Sequence, residues 1–497
     1  MSVLLEATLR SVQISLITAM VSGLLGVVLA WLVSRTEFTS RKTVASLLSV
    51  PYALPPYLLG MAWVVLGNPT VGILRAFLPS NGAYGTLGIC FVLSSVAFAF
   101  PYLELRAGFD RLDSSLEEAA RISGASPVKV FRDISLPLLW PALVNGMCLA
   151  FLYALASFGV PAILGLPVRQ FVLTTLIYSQ LKLGGQAGLI EGFKISLLLL
   201  TIAACALGFS HYLTSLKNRL GASISGARSS RPSRIQLGRL APLVMSVTWL
   251  WILLTLVLPW IALTLSALAP IAGSYSPSTF TLRNLSYVLN LADFHEALVN
   301  SAVLSVSVAS LVVLLGFCLG FLSVRKKKPW ASRLIRFFGI PFATPGTVLA
   351  FFIIFIFSTL ARLGFNADYP LLLMAIAYTL KYAAVGANSL ETAYTQIHPS
   401  LEEAARISGA RTVKLLSTIW APLLKQSMKA AWLLAFLPLA TELTMSVLLT
   451  GPGSATLGTV LFQLQEYADQ PSAAALAWML LTLALVIGLM TRKKEIY

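Results

Sequence analysis

Long apolar runs recur along the chain, each about 20 residues long and separated from the next by a polar segment. Because the apolar residues are continuous and do not alternate with polar ones, each run predicts a helix. A helix of this length can cross the hydrocarbon core of a bilayer. The pattern predicts eleven spans, at 11–33, 44–66, 86–104, 141–162, 187–212, 241–268, 298–323, 337–359, 370–389, 428–450 and 471–491.

The composition also indicates a lipid environment. Of the 497 residues, 57% are hydrophobic and only 11% are charged, whereas soluble domains carry roughly 25% charged residues. So few charges cannot cover a water-facing surface of this size, and in lipid the backbone must satisfy its own hydrogen bonds. The chain is therefore predicted to be an all-α polytopic membrane protein with about 11 transmembrane helices. Its cysteines and histidines show no ligand-like spacing, so no metal site is predicted.

The basic residues are distributed unevenly between the two sides that the spans define. With the N-terminus outside, 28 of the 36 Lys and Arg residues fall in inside segments, six fall outside and two lie within spans. Cytoplasmic loops retain Lys and Arg, so we expect the N-terminus outside and the C-terminus in the cytoplasm. This orientation accounts for the net charge of +17. Since the charges are spread over short loops, no nucleic-acid partner is predicted.

The same ten residues occur twice in the chain. LEEAARISGA occupies 116–125 and again 401–410, 285 residues later, and we call each copy a decamer. Upstream, GVVLAWLVSR at 26–35 is similar to GFCLGFLSVR at 316–325. Both decamers fall on the predicted cytoplasmic side, so the two repeats are parallel and related by an axis along the membrane normal.

The duplication divides the chain into unequal halves. The first, 1–213, carries five predicted spans, and the second, 241–497, carries six. Residues 214–240 between them are basic and rich in Ser and Gly, a composition typical of a flexible linker.

Each decamer is predicted to begin a short helix. Ser115 and Glu118 have the spacing of a capping box, in which two side chains satisfy the first backbone N–H groups of a helix. Ser400 and Glu403 repeat that spacing.

The residues that follow predict the end of this helix and the start of another. Gly124 and Gly409 stand where a left-handed residue would end the first helix. Ser126 can open the next helix in the first copy, and Pro137 and Pro422 are expected to stop the motif before the chain re-enters the membrane.

The decamers and their flanks resemble the EAA signature of permease subunits of binding-protein-dependent ATP-binding-cassette (ABC) importers. The resemblance covers nearly the whole chain and implies the type I ABC importer permease fold. In that family the loop forms a coupling helix that docks in a cleft of an ATPase subunit. The ATPase-coupling residues that the resemblance marks are Glu118, Ala119, Ala120, Gly124, Glu403, Ala404, Ala405 and Gly409.

The same resemblance implies partners and a location. Two copies of a cytoplasmic ABC ATPase would dock on the decamers, and a periplasmic binding protein would deliver the solute at the bacterial inner membrane. ATP and Mg would be bound by the ATPase and no cofactor by this chain. The chain is expected to lack enzymatic activity, because 221–226, its nearest approach to a phosphate-binding loop, is not followed by the required lysine.

Three residues within predicted spans are candidates for the translocation pathway. Ionisable groups are costly in a membrane and are therefore functional candidates. Glu442 lies in the tenth span, Ser157 is its repeat counterpart, and Lys381 lies near the inner end of the ninth span. Two structural alternatives are open: Glu442 could pair with a neighbouring helix, and Lys381 could extend its ammonium group to the interface.

The flanking sequence suggests a solute. Residues 156–159 and 442–459 resemble fused permeases of the ferric-iron type, so ferric iron is the expected cargo. That family often has Asp where Ser157 stands, which puts an acidic gate pair in doubt. Fused permeases for thiamine and aminoethylphosphonate are similar at this level.

Two other classes of protein share some of these features. A secondary transporter driven by an ion gradient would also show repeats and a membrane carboxylate, but it would not need two identical cytoplasmic loops. A membrane scaffold could use such loops to recruit cytoplasmic proteins.

Overall fold

The computed structural model describes residues 3–38, 40–218, 234–236, 238, 241–363, 369–398, 400–407, 409, 411–467 and 469–492. Helices make up nearly all of this part of the chain, which confirms the predicted all-α class. The greater part of the predicted linker, residues 219–233 together with 237, 239 and 240, lies outside the described residues.

The helices before the linker are α1 (Val3–Arg35), α2 (Arg41–Leu47), α3 (Pro56–Gly67), α4 (Thr86–Ala97), α5 (Ala99–Arg111), α6 (Ser114–Ile122), α7 (Pro127–Val130), α8 (Leu136–Leu138), α9 (Trp140–Ala156), α10 (Gly159–Leu164), α11 (Leu173–Leu183) and α12 (Gly185–Asn218).

The helices after the linker are α13 (Ala241–Ile252), α14 (Leu258–Leu268), α15 (Arg283–Asn290), α16 (Ala292–Gly320), α17 (Pro329–Ala343), α18 (Gly346–Arg362), α19 (Pro370–Gln396), α20 (Ser400–Ile407), α21 (Thr412–Leu415), α22 (Ala421–Ala440), α23 (Thr444–Leu449), α24 (Leu457–Glu466) and α25 (Gln470–Arg492).

Shorter elements join some of these helices. The 3₁₀ turns are Val50–Ala53, Leu166–Val168 and Pro277–Thr279, and the π-helical turns are Phe131–Ser135, Leu253–Val257, Phe321–Arg325 and Leu416–Trp420. Two short strands, β1 (Thr36–Glu37) and β2 (Ile235–Gln236), pair in parallel. Arg234 donates to the Glu37 carboxylate at 3.0 Å, so the end of the linker is tied to the chain just after α1.

The helix lengths confirm a multi-pass membrane protein. Within the described residues, six helices are long and apolar enough to cross a bilayer, or up to nine if each of three sharply bent pairs is one span. These nine overlap nine of the eleven predicted spans. The other two, 428–450 and 471–491, fall on α22–α23 and α25, and the count of eleven stays a prediction.

A proline accounts for the sharpest of the bends. α17 and α18 meet at 105°, with Thr344 and Pro345 between them. The ring of a proline disfavours helical geometry in the residue before it, and Thr344 is extended, with ψ of 134°. The break therefore follows from the sequence.

One compact unit comprises Met1–Lys182, Lys194–Ser286 and Ala468–Tyr497. In it α1 packs against α4, α5 and α9, and α14 packs against α3 and α25. A buried core that includes Tyr102 and Phe109 fills the space beside α1. Because α14 and α25 follow the linker in sequence, this packing unit does not coincide with a sequence half, and the domain bounds remain a prediction from the repeats.

A second compact unit comprises Leu183–Phe193 and Tyr287–Tyr467. There α16 packs against α19 and α22, and α18 packs against α23. Tyr394, Trp420 and Leu424 are buried in the core beside α16.

The closest helix approach in this second unit passes through glycines. A Cβ atom at Gly316 of α16 would lie 2.3 Å from the carbonyl oxygen of Gly386 in α19, and one at Gly386 would lie 2.3 Å from that of Val312. In the first unit, a Cβ atom at Gly26 of α1 would lie 2.8 Å from the Pro101 side chain of α5. Small residues allow membrane helices to pack backbone against backbone.

We therefore expect Gly316→Ala and Gly386→Ala to force α16 and α19 apart. Overpacking of this kind costs about 1–3 kcal/mol, which should appear as a lower thermal midpoint of the detergent-solubilised chain. Gly208→Ala in α12 is the control, since nothing lies within 4 Å of its added Cβ. Equal midpoints for all three variants would contradict this account of the helix contact.

Candidate functional site

The two decamers adopt the predicted helix and turn. The first forms α6 and the second α20, and the glycine after each helix has positive φ, +85° at Gly124 and +82° at Gly409. Nothing lies within 4 Å of a Cβ atom added at either glycine. The backbone conformation, and not crowding, therefore favours glycine at these positions.

The predicted capping boxes are wrong. α6 begins at Ser114, two residues earlier than a cap at Ser115 predicts, because Asp113 is its cap and accepts the backbone N–H of Ser115 at 3.0 Å. In the second copy Ser400 is already inside α20, and its N–H donates to the His398 ring at 3.2 Å. The expected cap at Ser126 is confirmed, since its hydroxyl accepts the N–H of Lys129 at 3.3 Å.

The stop that was predicted at the two prolines is found in the first copy and is wrong in the second. In the first copy the helical segment ends at Leu138, one residue after Pro137, and the chain bends by 71° at Leu139. In the second, Pro422 follows the π-helical turn Leu416–Trp420, and the helix continues to Ala440. A proline lacks the N–H that a helix interior needs, and here it stands where a π-helical turn already interrupts the regular hydrogen-bond pattern.

The ATPase-coupling candidates lie at the surface of their loops to differing degrees. Ala119, Gly124, Glu403 and Gly409 are exposed, Glu118, Ala120 and Ala405 are partly exposed, and the side chain of Ala404 lies outside the described part of the chain.

Each decamer also exposes one large apolar side chain. Ile122 at the end of α6 and Ile407 at the end of α20 are both 88% exposed. The two residues occupy the same position in the decamer. The two copies therefore present the same apolar side chain to solvent at the same point of the loop.

A buried ion pair anchors the first decamer. Arg35, the last residue of α1, donates from Nε to Oε2 of Glu117 at 2.7 Å, and the two side chains are only 2% and 4% exposed. The Ser135 hydroxyl donates to Oε1 of the same carboxylate at 2.6 Å. Arg35 also donates from Nη2 to the Phe109 carbonyl at 3.2 Å. We call Arg35, Phe109, Glu117 and Ser135 the first junction.

The second decamer is anchored by the equivalent residues. Nε of Arg325 lies 2.8 Å from Oε1 of Glu402, and the two side chains are 10% and 14% exposed. The indole N–H of Trp420 donates to the same oxygen at 3.0 Å. Arg325 donates from Nη2 to the carbonyls of Tyr394 at 2.8 Å and Ile397 at 2.7 Å. Arg325, Tyr394, Glu402 and Trp420 form the second junction.

The junctions are functional candidates that the sequence interpretation missed. It selected the second glutamate of each decamer, whereas the structure buries the first, Glu117 or Glu402. The signal was present, because the upstream repeats already align Arg35 with Arg325. A repeated Arg beside a repeated Glu could have suggested the pair.

Two of the pathway candidates lie at breaks between helices, at equivalent positions of the two repeats. Ser157 follows α9 and Glu442 follows α22, each just before a short helix. The Ser157 hydroxyl is buried and makes no hydrogen bond within the described residues. The Glu442 carboxylate accepts the N–H of Met445 at 2.9 Å, at the start of α23.

Lys381 is engaged with backbone. Its ammonium group donates to the carbonyl oxygens of Phe342 and Thr344, at the bend between α17 and α18. A cation at a helix C-terminus satisfies carbonyls that have no helical partner. Its charge interacts electrostatically with Glu442, although no ion pair within 4 Å joins the two side chains. Lys381 therefore holds the bend as well as lying near a pathway candidate.

Within the described residues, no group of three or more His, Cys, Asp or Glu side chains could hold a metal ion.

Comparison with known proteins gives a family match at both repeats. A model of the family described as "Binding-protein-dependent transport system inner membrane component" matches residues 22–215 and 313–492. A "Probable sulfate transport system permease protein" of Chlorella vulgaris is 32% identical over 181 residues, 36% of this chain and 68% of that protein. Both matched segments of the family model contain a decamer.

Two further relatives and one solved structure are similar. A "Probable ABC transporter permease protein" of Sinorhizobium fredii is 26% identical over 437 residues, 83% of this chain and 72% of its own length. The molybdenum transport system permease protein of Escherichia coli is 28% identical over 224 residues, 42% of this chain and 93% of its own length. A bacterial ABC transporter involved in alginate import has 18% identity and a TM-score of 0.41, covering 52% of this chain and 96% of that one.

The two ion pairs are buried to different degrees, so we expect their removal to reduce the stability of the fold by different amounts. Removing one partner of a buried ion pair leaves the other charge uncompensated and costs about 3–5 kcal/mol. We expect Glu117→Ala to lower the thermal midpoint by an amount that corresponds to this whole cost. Glu402→Ala should lower it by less, because the second junction is more exposed. Asp133→Ala, which breaks the exposed Arg132–Asp133 pair, should leave the midpoint unchanged. Equal losses at Asp133 and Glu117 would contradict the assignment.

Proposed function

Since the chain belongs to the family of binding-protein-dependent transport system inner membrane components, we propose that it supplies both permease halves of one ABC importer. The family match is present twice, at 22–215 and 313–492. An importer of this kind needs two docking sites for its ATPase pair, and this chain carries two decamers. One copy of the chain would therefore suffice for each transporter.

The observation that carries the proposal is the matched pair of exposed isoleucines. Ile122 and Ile407 are equally exposed, in identical sequence and at equivalent positions. Identical surfaces on one chain suit two copies of one partner. Two ATPase subunits would bind there, with Glu118 and Glu403 beside the apolar contact and Gly124 and Gly409 shaping the turn.

We propose an orientation of the chain in which those surfaces lie where ATP is available. The excess of Lys and Arg on one side supports cytoplasmic decamers, a periplasmic N-terminus and a cytoplasmic C-terminus. The ATPase would bind ATP and Mg and supply the driving force. A periplasmic binding protein would present the solute on the other side, and this chain would act as a permease without enzymatic activity of its own.

We propose ferric iron as the cargo, with an oxyanion as the second candidate. Glu442 places a carboxylate at the break after α22, where a negative charge would attract a cation. Sulfate or molybdate is favoured by the names of two relatives, the sulfate and molybdenum permeases. The two candidates carry opposite charge, so one substitution can distinguish them.

The docking proposal is tested by Ile122→Asp and Ile407→Asp. Burying an isoleucine side chain contributes about 1.5–3 kcal/mol, and about 1.4 kcal/mol is tenfold in affinity. Each variant should reduce ATPase co-purification at least tenfold and abolish most uptake, with membrane abundance unchanged.

Phe77→Asp is the matched control, because Phe77 is 86% exposed on the predicted periplasmic side and should leave ATPase co-purification intact. Native mass measurement should find one chain with two ATPase subunits, and the chain alone should hydrolyse no ATP. Full uptake with both isoleucines replaced would refute docking at the decamers.

The cargo is tested by Glu442→Gln in cells that depend on this importer for radiolabelled ferric iron, sulfate or molybdate. If ferric iron passes the Glu442 carboxylate, its uptake should fall at least tenfold. An oxyanion would instead pass as well or better once the negative charge is gone. Chain-dependent uptake of sulfate or molybdate, and not of iron, would overturn the iron proposal and leave the importer proposal intact.

A further inference from the structure

We propose that the two junctions transmit movement of the docked decamers to the membrane helices, which makes Arg35, Glu117, Arg325 and Glu402 positioning residues for transport. This inference rests on the proposed docking of ATPase subunits at the decamers. It concerns what happens beneath the docking surface, within each compact unit.

The first junction gathers four elements at one point. Arg35 ends α1, Phe109 lies in α5, Glu117 lies in α6, and Ser135 ends the π-helical turn that leads to α8 and α9. A displacement of α6 therefore acts at once on α1, α5 and the start of α9. These three helices also pack against one another in that unit.

The second junction repeats this arrangement. Arg325 ends the π-helical turn that continues α16, Tyr394 lies in α19, Glu402 lies in α20, and Trp420 ends the π-helical turn that continues into α22. π-helical turns are rare and frequently occur at functional sites. In both units such a turn presents the donor, Ser135 or Trp420, to the glutamate.

The exposed and buried faces of each decamer are close together. Ile122 is five positions after Glu117 in the chain, and Ile407 is five positions after Glu402. Each pair lies within one short, continuous helix, α6 or α20. A displacement of the isoleucine therefore moves the carboxylate as well, because little more than one helical turn joins the two residues.

A buried ion pair is suited to carry such a load. Separating Arg35 from Glu117 would leave two charges away from water without partners, so the pair resists being pulled apart. An exposed ion pair would be replaced by water with little change in free energy. The junctions thus hold the decamer to the helix ends while both move.

The test uses the complex of this chain with its ATPase, reconstituted in proteoliposomes. Arg35→Lys and Arg325→Lys keep the positive charge beside the glutamate but remove the forked guanidinium, which also binds the Phe109 carbonyl or the carbonyls of Tyr394 and Ile397. Arg132→Lys is the matched control, because Arg132 forms an exposed ion pair in the same π-helical turn as Ser135.

We expect both junction variants to retain ATPase co-purification and ATP hydrolysis within twofold of the unaltered complex. Solute transported per ATP hydrolysed should fall at least tenfold, and Arg132→Lys should leave that ratio unchanged. Ser135→Ala and Trp420→Phe remove one donor to the glutamate and leave the ion pair in place. They should lower the same ratio about twofold to fivefold, without the risk of a buried unpaired charge.

The outcomes separate the two proposals. An unchanged ratio in all four variants, with only a lower thermal midpoint, would show that the junctions serve folding alone and would overturn the inference. Loss of ATPase co-purification in the lysine variants would also overturn it, since the junctions would then maintain the docking surface. Failure of the unaltered chain to bind an ATPase would instead refute the proposed function, and the inference with it.

Discussion

An ionised glutamate removed from water must keep its cation, and this requirement organises the decamer loop of each unit. Glu117 and Glu402 each sit beneath a decamer, and each is matched by an arginine at the end of a membrane helix. The cost of parting such charges fixes where α6 and α20 lie. The outer face of each loop is thereby free to present an isoleucine to solvent.

The two halves keep this anchoring geometry while differing in the membrane. The breaks after α9 and α22 are equivalent, yet one carries the Ser157 hydroxyl and the other the Glu442 carboxylate. Lys381 adds a charge beside the bend between α17 and α18. The decamers and their anchors are thus alike in the two halves, whereas the equivalent helix breaks carry different polar groups.

Much of this organisation could be predicted from the sequence, and the failures have physical causes. Long apolar runs determine helices in lipid because nothing else satisfies the backbone, and positive φ at Gly124 and Gly409 was evident from their place after a short helix. The capping box of the first decamer failed because Asp113 caps α6, which leaves Ser115 inside the helix. In the second decamer Ser400 is likewise inside α20, and its N–H donates to His398.

The junctions were harder to predict, since they join residues 82 positions apart in the first unit. Both glutamates of the decamer are repeated, so a one-dimensional pattern cannot tell which one turns inward. The rotation of the helix about its axis decides which glutamate faces inward. In the first decamer that rotation follows from the residue at which α6 begins. The contact of Lys381 with the bend between α17 and α18 was missed for a similar reason, because its partners are backbone carbonyls that have no sequence signature.

The first compact unit contains both the beginning and the end of the chain, and this affects how the protein is made. α3 packs against α14 and α25, and α25 is synthesised long after α3. Synthesis proceeds at roughly 5–20 residues per second. α25 therefore becomes available to pack against α3 only on the order of tens of seconds after α3 has been made. During synthesis one of its faces is therefore covered only by lipid or by the insertion machinery, and a nascent chain that stops before α25 leaves the first unit unfinished although most of its sequence has already been translated.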